Sequence, residues 1–444
     1  MHLRMVFLAI VGMLLGACGG PATAQTVRSS SLFEQIEGFG SATTGGLGGQ
    51  VYVVTTRADY DPLARETPII GSLRYGVEQL RGPRWVVFDP ALFSEARNGD
   101  LTAVIALSRE LRLREGDITI DGRAGGSGGR GRRVVLARSY DWADYRPVND
   151  GASCEVRRDR DGRPLDNGGG IVTVLNAQNI ILTHLTFRQL QRGAPERPVA
   201  DVECFVDQIG IANRYEVENG VQRPERLQPT NSFDRIWINH SDFTGCGDEC
   251  IGVTQPSPAL VARLSITGNA FRNVRKAILV GNVGQMLRNR PPRALADQIR
   301  LTVAKNVFDT VYSRQPRFNS ATVHVYNNFY RNWGYGAVDP TDDSRSLIEQ
   351  NLFETASRDP ALRAASVNRG NHPGEQIWAG RNVYTGEATD RDADIANPPA
   401  RRIASFATRT ASNVLDLAAM PYARAVAQIA ASAGWRAEDN DVYR

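Results

Sequence analysis

The chain has 444 residues and a formal net charge of +4. This small charge gives no support to a nucleic-acid-binding function, which needs a clustered basic face, and length alone does not separate one large core from two or three domains. Glycine (42) and proline (22) are frequent, and helix-period apolar stripes are scarce before about residue 420, so the composition favours a β-rich body.

The first 24 residues are predicted to be an export signal. A basic start is followed by an apolar run from Met5 to Leu15, which is too short for a typical membrane span. Two cleavage sites compete: Leu15 to Cys18 resembles a lipoprotein signal, which would place a lipid anchor on Cys18, whereas Ala22 to Ala24 resembles an ordinary signal-peptidase site. Both predict export, either as a secreted protein or as an outer-membrane or cell-surface lipoprotein.

Cysteine number fits an oxidising compartment. If Cys18 carries lipid, the four remaining cysteines, Cys154, Cys204, Cys246 and Cys250, can form two disulfides in three possible pairings. Buried thiols are the alternative. The sequence gives little support to a zinc site at Cys246 and Cys250, because no histidines accompany them at suitable spacing.

The segment that opens the folded body is rich in glycine, and a strand follows it. Nucleotide-binding motifs need the order strand, glycines, helix, so the order here argues against them. A short helix is predicted over 73–80, and strands at 85–88, 111–113, 118–120 and 134–136. Three long polar excursions, 138–168, 190–204 and 214–232, are of the kind that forms functional loops or lids.

A short phrase recurs from residue 180 onward: an alternating apolar run, then an asparagine, then an aromatic residue two positions later. The intervals between successive asparagines are 37, 22, 23 and 31 residues. A period near 22 with insertions is typical of a solenoid, because one unit cannot bury its apolar face alone. The recurring asparagines are Asn269, Asn306, Asn328, Asn351 and Asn382.

These repeats predict a parallel β-helix, an all-β fold, over residues 26–388. We expect each asparagine to adopt the left-handed conformation at a corner and to bond to the asparagines of neighbouring coils, with the aromatics stacked inside. A β-sandwich with accidentally similar strands is the alternative. In the tail, 389–444, the spacing from Pro421 to Trp435 predicts a helix that caps or flanks the coils. No second domain is indicated.

Three phrases resemble secreted pectate lyases of polysaccharide lyase family one. They are the opening GFGSATTGGLGGQVYVVT from Gly38, IWINHSDF from Ile236, and RNWG from Arg331. The resemblance implies a single-domain right-handed parallel β-helix that cleaves pectate or a related uronate polymer by β-elimination. It also implies an acidic polysaccharide as partner, with no protein partner, and a monomer.

The resemblance also assigns roles to residues of the arginine cluster and one earlier strand. Arg314 of SRQPRF matches the family's catalytic arginine, and Lys276 of RKAILVGN matches its lysine, which neutralises the substrate carboxylate. Arg317 is expected to grip a second uronate carboxylate, and Asn319 and His324 are further candidates for substrate contact. The alternatives are a structural arginine at a turn and a solvated lysine at a strand end.

A calcium site is expected at Asp207 and Asp248, which match acidic positions of the family. Calcium takes six to eight oxygen ligands, and two family acids are absent, because Gly252 and Phe205 stand at their positions. Asn319 stands where the family commonly has an arginine. Calcium is therefore a possible cofactor that needs further ligands, from Glu249, Asp242, Asp234 or the substrate's own carboxylates.

Two other functions remain open. A β-helix glycoside hydrolase needs paired carboxylates, and the pairs Asp342-Asp343 and Asp248-Glu249 are the available candidates. A carbohydrate-binding surface protein without activity would explain the departures at Gly252, Phe205 and Asn319. Product chemistry separates the three, because only a lyase leaves an unsaturated sugar at the new chain end.

Overall fold

The structure is a computed structural model. It describes the residues in sixteen segments: 30–95, 101–123, 132–148, 153–158, 160–162, 169–192, 207–212, 216–218, 221–223, 232–254, 260–282, 298–341, 344–355, 376–378, 382–386 and 420–433. The predicted export signal, Cys18, Cys204, Phe205 and the pair Asp342-Asp343 lie outside these residues.

One large sheet contains ten strands, and each strand pairs in parallel with the equivalent strand of the next coil. Its apolar residues alternate inward, as in the run Leu301, Val303 that pairs with Val323, Val325. The strands of this first sheet are Gln50–Val54, Arg84–Phe88, Ile118–Asp121, Gln178–Thr183, Asp234–Asn239, Ala262–Thr267, Ile299–Ala304, Thr322–Tyr326, Arg345–Glu349 and Gln376–Trp378.

A second sheet of sixteen strands forms the other two sides of the coil. Its two stacks are joined by the 13-residue strand Ala270–Asn282, whose start pairs within one stack and whose end pairs within the other. The second stack contains Ser94–Glu95, Leu101–Ala106, Arg132–Asp141, Leu185–Arg192, Asp242–Thr244, Val307–Ser313, Phe329–Trp333, Leu352–Thr355 and Val383–Gly386. The third stack contains Leu111–Leu113, Val172–Leu175, Ile209–Ala212, Glu249–Thr254, Arg317–Asn319 and Asp339–Thr341.

Parallel pairing of equivalent strands in successive coils confirms the parallel β-helix and excludes the β-sandwich. Among the described pairs of the two large sheets, the short strand Ser94–Glu95 supplies an antiparallel one. Two separate hairpins lie in the predicted excursions, Tyr145–Val148 with Ser153–Val156 and Glu216–Glu218 with Val221–Arg223. The first excursion begins later than predicted, because the strand Arg132–Asp141 continues through the start of that segment.

The asparagine ladder is confirmed. The side-chain oxygen of Asn306 accepts a hydrogen bond from the backbone N–H of Asn269 at 2.8 Å, and Asn328, Asn351 and Asn382 repeat this bond in the following coils at 3.0, 3.0 and 2.9 Å. Four of these asparagines, Asn269, Asn306, Asn328 and Asn351, are buried, so their bonds satisfy polar groups that water cannot reach.

The left-handed corner was predicted at the wrong residue. Positive φ angles occur one position before four of the five ladder asparagines, at Gly268 (65°), Lys305 (57°), Asn327 (52°) and Gln350 (53°), and the residue before Asn382 lies outside the described residues. The corner therefore does not require the asparagine backbone. The asparagine is needed for its side-chain amide, which bonds between coils.

Aromatic side chains stack inside the coil as predicted. Neighbouring ring centroids lie between 4.6 and 5.2 Å apart, with nearly parallel planes. Each ring buries apolar area against the next one, so the stack contributes to stability along the whole coil axis. Its members are Phe187, Phe243, Phe271, Phe308, Tyr330, Phe353 and Tyr384.

The glycine-rich opening segment runs along the outer face of the first sheet. Phe39 and Gly40 donate backbone hydrogen bonds to the hydroxyls of Thr302 and Ser265, both at 2.9 Å. A Cβ at Gly46 would lie 1.9 Å from the carbonyl oxygen of Arg84, so glycine is required for this close approach. The segment therefore packs closely against the backbone of the first sheet.

Helical segments are few and short among the described residues. The predicted helix at 73–80 appears as a single π-helical turn, Tyr75–Gln79. The predicted C-terminal helix is Tyr422–Ser432, and its Ala425 and Ile429 pack on Phe329 and Leu352, so it flanks the side of the coil. The remaining segments are Ser30–Phe33, Gly38–Gly40, Pro90–Leu92 and Trp142–Asp144.

In the described part of the chain, no helix has the length and apolar character needed to cross a membrane.

Candidate active site

A cleft of about 360 Å³ lies on the outer face of the third stack. Four consecutive coils line it, three of them supply its charged side chains, and it contains most of the residues that the sequence singles out. Its lining consists of Asp207, Asp248, Glu249, Gly252, Val253, Thr254, Leu279, Arg314, Arg317 and Asn319.

Three carboxyl groups meet at one end of this cleft. Asp207 comes just before the strand Ile209–Ala212, and Asp248 and Glu249 begin the adjacent parallel strand Glu249–Thr254. Equivalent ends of parallel strands lie side by side, and oxygens of the three carboxyl groups lie within 4.8 Å of one another. The cluster is therefore created by strand order and could not arise from local sequence alone.

Asp207 is the most perturbed of these groups. Burial, and then the neighbouring Asp248 carboxylate, raise its pKa to about 7, although Arg314 and Lys276 act in the opposite direction. One carboxylate oxygen accepts a hydrogen bond from the backbone N–H of Glu249 at 3.2 Å. Without a bound metal ion, Asp207 thus holds a proton over much of the pH range below neutral.

Gly252 is explained by the position of Asp207. A Cβ at Gly252 would lie 1.7 Å from the Oδ2 atom of Asp207, so any side chain there would displace the carboxylate. The glycine that stands in place of the family's acid therefore leaves room for the Asp207 carboxylate.

Two cations face the acids. Lys276 Nζ lies 2.7 Å from Asp248 Oδ1, and the lysine side chain is only 5% exposed. Arg314 contacts Glu249 and keeps 22% of its side chain exposed in the cleft. In the backbone register Lys276 lies beside Glu249 on one side and beside Ser313, the residue before Arg314, on the other. Lys276 therefore comes from the strand next to the acids, and Arg314 comes from the following coil.

Arg314 lies at a turn between two strands, with a φ of 61°. The left-handed conformation costs a non-glycine residue on the order of 1 kcal/mol or more. The carbonyl oxygen of Arg314 accepts a hydrogen bond from the backbone N–H of Ile278 at 2.7 Å, which holds the turn against the previous coil. Arg314 therefore lies at a turn, as the structural alternative predicts, and its side chain also lines the cleft.

Arg317 and Asn319 line the cleft, on the strand after Arg314. Arg317 is half-buried and in register with Leu279. Asn319 donates from Nδ2 to the carbonyl oxygen of Gly281 at 3.4 Å, and its Oδ1 accepts a hydrogen bond from Thr341. These bonds fix the amide at the edge of the cleft.

His324 is separated from this group. It lies on the first sheet, is 1% exposed, and its Nε2 is 2.8 Å from Glu349 Oε1. It does not line the cleft, so its predicted contact with substrate gains no support from its position. The alternating pattern of its strand gave no signal of which sheet faces the cleft.

A disulfide brackets two of the acids. Cys246 and Cys250 are bridged, and Asp248 and Glu249 lie inside the five-residue loop that the bond closes. This pairing selects among the three that the sequence allowed. The side chain of Cys154 and the whole of Cys204 lie outside the described residues, so the second pairing is not described. In the sequence, the position of Glu249 next to Asp248 and between two cysteines indicates that Glu249 belongs to the acidic cluster.

The residues present fit a calcium ion. Carboxylate oxygens are the ligands that calcium prefers, and Asp207, Asp248 and Glu249 bring oxygens of three carboxyl groups within 4.8 Å of one another. Of the supplementary ligands considered, Glu249 belongs to the cluster. Asp242 and Asp234 do not, because they bond to Arg272 at 2.7 Å and to Arg263 at 3.0 Å respectively.

Comparison with known proteins gives consistent matches. A family model described as pectate lyase matches residues 231–392, which include Asp248, Lys276 and Arg314. The chain is 23% identical over 387 residues to probable pectate lyase 6 of Arabidopsis thaliana, covering 84% of this chain and 68% of the relative. It is 25% identical over 337 residues to pectate lyase 1 of Cryptomeria japonica, covering 75% and 69%.

Some curated relatives are longer than the region they share with this chain: only 59% of putative pectate lyase 14 of Arabidopsis thaliana is covered, at 27% identity. Among solved structures, the major cedar-pollen allergen jun a 1 matches with a TM-score of 0.55 and 21% identity, covering 92% of this chain and 95% of the allergen. That likeness supports the β-helix fold. The family model, the curated relatives and the fold agree in what this chain resembles, which is the pectate lyases.

Proposed function

We propose that this protein cleaves pectate or a related uronate polymer by β-elimination in the cleft of the third stack. One observation carries the proposal: acids from two coils and cations from two further strands converge on one open cleft, at positions that match the family's motifs. A neutral polysaccharide would not need such a concentration of charge.

The reaction removes the proton on C5 of a uronate, and the C–H electron pair becomes the C4–C5 double bond. The C4–O4 bond breaks, and the leaving oxygen takes a proton. Because the C5 proton is only weakly acidic, charge develops on the neighbouring carboxylate and has to be stabilised by cations. This requirement is what gives Lys276 and Arg314 distinct roles.

Arg314 is the proposed base. A guanidinium ordinarily keeps its proton, and the contact with Glu249 favours the charged form. The guanidinium can therefore accept a proton only after it has lost that contact and its own proton. Substrate binding, which brings further carboxylates into the cleft, is the event proposed to break the Arg314–Glu249 contact.

Lys276 is proposed to neutralise the carboxylate of the sugar that loses its proton. Its side chain is almost fully buried, so its charge acts through little intervening water. Arg317, one strand later and half-buried in the cleft wall, is positioned to bind a second carboxylate of the same chain. Asn319, held by its two hydrogen bonds, supplies an amide at the cleft edge.

Asp207, Asp248 and Glu249 are the residues that would hold calcium. When bound, the ion supplies positive charge close to the uronate carboxylate and makes the C5 proton more acidic. Lys276, which bonds Asp248 in its absence, would then be released toward the substrate. Export to an oxidising compartment is proposed with this function, and the Cys246–Cys250 disulfide supports it.

A hydrolase is the second candidate, because of the raised pKa of Asp207 beside Asp248. A protonated carboxyl group near a charged one is the arrangement that glycosidases use for acid and nucleophile or base. It would leave saturated reducing ends instead of unsaturated ones.

The test is a panel of polyuronates and neutral polysaccharides, with calcium and with chelator, read by the ultraviolet absorbance of unsaturated chain ends. We expect absorbance to rise with polygalacturonate or another polyuronate and to fall on chelation. If every polyuronate yields only saturated ends, the lyase proposal fails in favour of the hydrolase. If polymers bind but none is cut, an inactive binding protein remains.

A further inference from the structure

A second groove, of about 940 Å³, lies on a different face of the coil. It runs over the second stack, across the strands Leu101–Ala106, Arg132–Asp141, Leu185–Arg192 and Asp242–Thr244 and the start of Ala270–Asn282. None of the residues assigned to the catalytic cleft lines it. We call it the arginine groove.

The described lining of the arginine groove carries four cations and one anion. The cations are Arg57, Arg133, Arg188 and Arg272, and the anion is Asp242. This local excess of three positive charges is large for a chain whose net charge is only +4. The groove is therefore suited to a ligand that carries negative charge.

Asp242 orders two of these arginines. Its Oδ1 is 2.7 Å from Arg272 Nη1 and its Oδ2 is 3.3 Å from Arg133 Nη1. The arginine side chains remain 45% and 30% exposed, while the aspartate side chain is 7% exposed. The carboxylate thus pre-positions two solvent-accessible guanidinium groups, and little of it is exposed to a ligand in the groove.

The cations are spread along the coil axis. Arg133 and Arg272 come from strands three places apart in the stack, and Arg188 lies on a strand between them. Strands in a sheet are about 4.8 Å apart, so the backbone positions extend over about 14 Å. A linear ligand with repeated negative charges matches this arrangement better than a single small anion.

The floor of the arginine groove is flat and mostly apolar. Val104, Val135 and Thr186 follow one another in register, and Val104 is 44% exposed. The same row continues through Asp242 and Ala270 to Val307, Phe329 and Leu352, where the C-terminal helix packs on it. Apart from Asp242, the groove is therefore the uncovered part of a mostly apolar row, edged by arginines, and it can accept the apolar face of a sugar ring.

We propose that the arginine groove is an accessory binding site for an acidic polysaccharide chain, separate from the catalytic cleft. The choice of a uronate polymer as ligand rests on the proposed function. The role of the groove is to hold the polymer on the protein while the cleft acts on another segment, so it affects polymers and leaves short oligomers unaffected.

The experiment measures retention of the purified protein in gels that contain polygalacturonate, alongside turnover of trigalacturonate. The variants are Arg188→Gln and the double variant R188Q/R272Q. Arg331→Gln is the matched control. Arg331 is exposed and lies in the same row of the second stack as Arg272, with Asp309 between them, but it is outside the groove. Thermal unfolding checks that each variant is folded.

We expect the double variant to bind polygalacturonate about tenfold more weakly or worse, since charged hydrogen bonds contribute strongly. R188Q should lie between it and the wild type. R331Q should bind within about twofold of the wild type, and all variants should turn over trigalacturonate at the wild-type rate.

Equal retention of R188Q, R188Q/R272Q and R331Q would overturn the accessory site, whether all three match the wild type or all are weakened alike. Absence of wild-type binding to polygalacturonate would overturn it as well. If the groove variants lose binding but the wild type forms no unsaturated product from any polyuronate, the accessory site stands and the lyase function fails.

Discussion

The asparagine ladder and the catalytic cleft are both built from buried polar groups on successive coils, but they solve the burial of polarity in opposite ways. In the ladder, each amide repeats the same bond to the next coil, as Asn306 does with Asn328. In the cleft, unlike groups from different coils neutralise one another, as Lys276 does with Asp248. Repetition therefore marks scaffold, and non-repeating charge marks the site where chemistry is expected.

The first way to test this difference is to remove the cleft's proposed base. Arg314→Gln should lower the rate of unsaturated product formation by about 10³-fold, within the range expected for loss of a general base. The temperature of thermal unfolding should fall, because the buried Glu249 carboxylate loses its charged partner, so the rate is compared per folded molecule. Arg331→Gln, an exposed arginine outside both sites, is the control and should keep full activity.

Gly252 and Gly210 offer a sharper comparison, because they are paired in register on adjacent strands of the third stack. A Cβ at Gly252 would lie 1.7 Å from Asp207 Oδ2, whereas a Cβ at Gly210 meets its nearest atom, Thr173 Oγ1, at 4.0 Å. Gly252→Ala should therefore displace Asp207 and weaken calcium activation by about tenfold or more.

Calcium titration of the initial rate measures this effect, and Gly210→Ala should titrate like the wild type. A normal calcium response in Gly252→Ala would show that the position of Asp207 is irrelevant to the ion.

A substitution in the asparagine ladder should lower stability and leave activity nearly unchanged. Asn306→Ala removes bonds to Asn269 and Asn328 and leaves buried groups without partners, so we expect a loss of about 2 to 4 kcal/mol in unfolding free energy. Denaturant unfolding measures the loss. Activity per folded molecule should stay within about twofold of the wild type, and a specific loss of activity in a fully folded variant would contradict the scaffold role.

The Cys246–Cys250 disulfide bears on both stability and the cleft, because it constrains a loop that carries two of the acids. Replacing both Cys246 and Cys250 by serine should lower stability by about 2 kcal/mol, as expected for closure of so short a loop. It should also raise the calcium concentration needed for half-maximal activity, because Asp248 and Glu249 lie inside the loop. If calcium response and stability are both unchanged, the bond has no part in ordering the acids.

A further prediction concerns pH in the absence of calcium. The pKa of Asp207 is raised to about 7 in the folded protein, so between about pH 4 and 7 the folded state binds a proton that the unfolded state has lost. Stability should therefore fall as pH rises through this window, by at most about 1.4 kcal/mol per unit. Denaturant unfolding in chelator measures it, and Asp207→Asn should show a flatter profile.

Much of the fold was predictable from sequence because it repeats. The spacing of Asn306 and Asn328, each followed by an aromatic two positions later, indicates the coil, the ladder and the ring stack together. The position of the left-handed corner was missed by one residue, since Lys305, Asn327 and Gln350 share no common chemistry. A conformation that different residue types adopt leaves no pattern to detect.

The cleft was predictable only in part. Family motifs led to Arg314, Lys276, Asp207 and Asp248, and these four do converge. The role of Gly252 in making room for Asp207 depends on two side chains from different coils, and His324 lies on another sheet altogether. Such relations depend on which strand neighbours which, and no local pattern carries that information.

The most direct measurement of the central claim uses polygalacturonate deuterated at C5 of each sugar. The new chain ends of a wild-type digest are isolated, and their deuterium content is read by mass spectrometry. Proton removal in the third-stack cleft predicts unsaturated ends that have lost the C5 deuterium, formed by the wild type and not detectably by Arg314→Gln. Saturated ends that keep their deuterium, or equal deuterium loss in both proteins, would contradict the account.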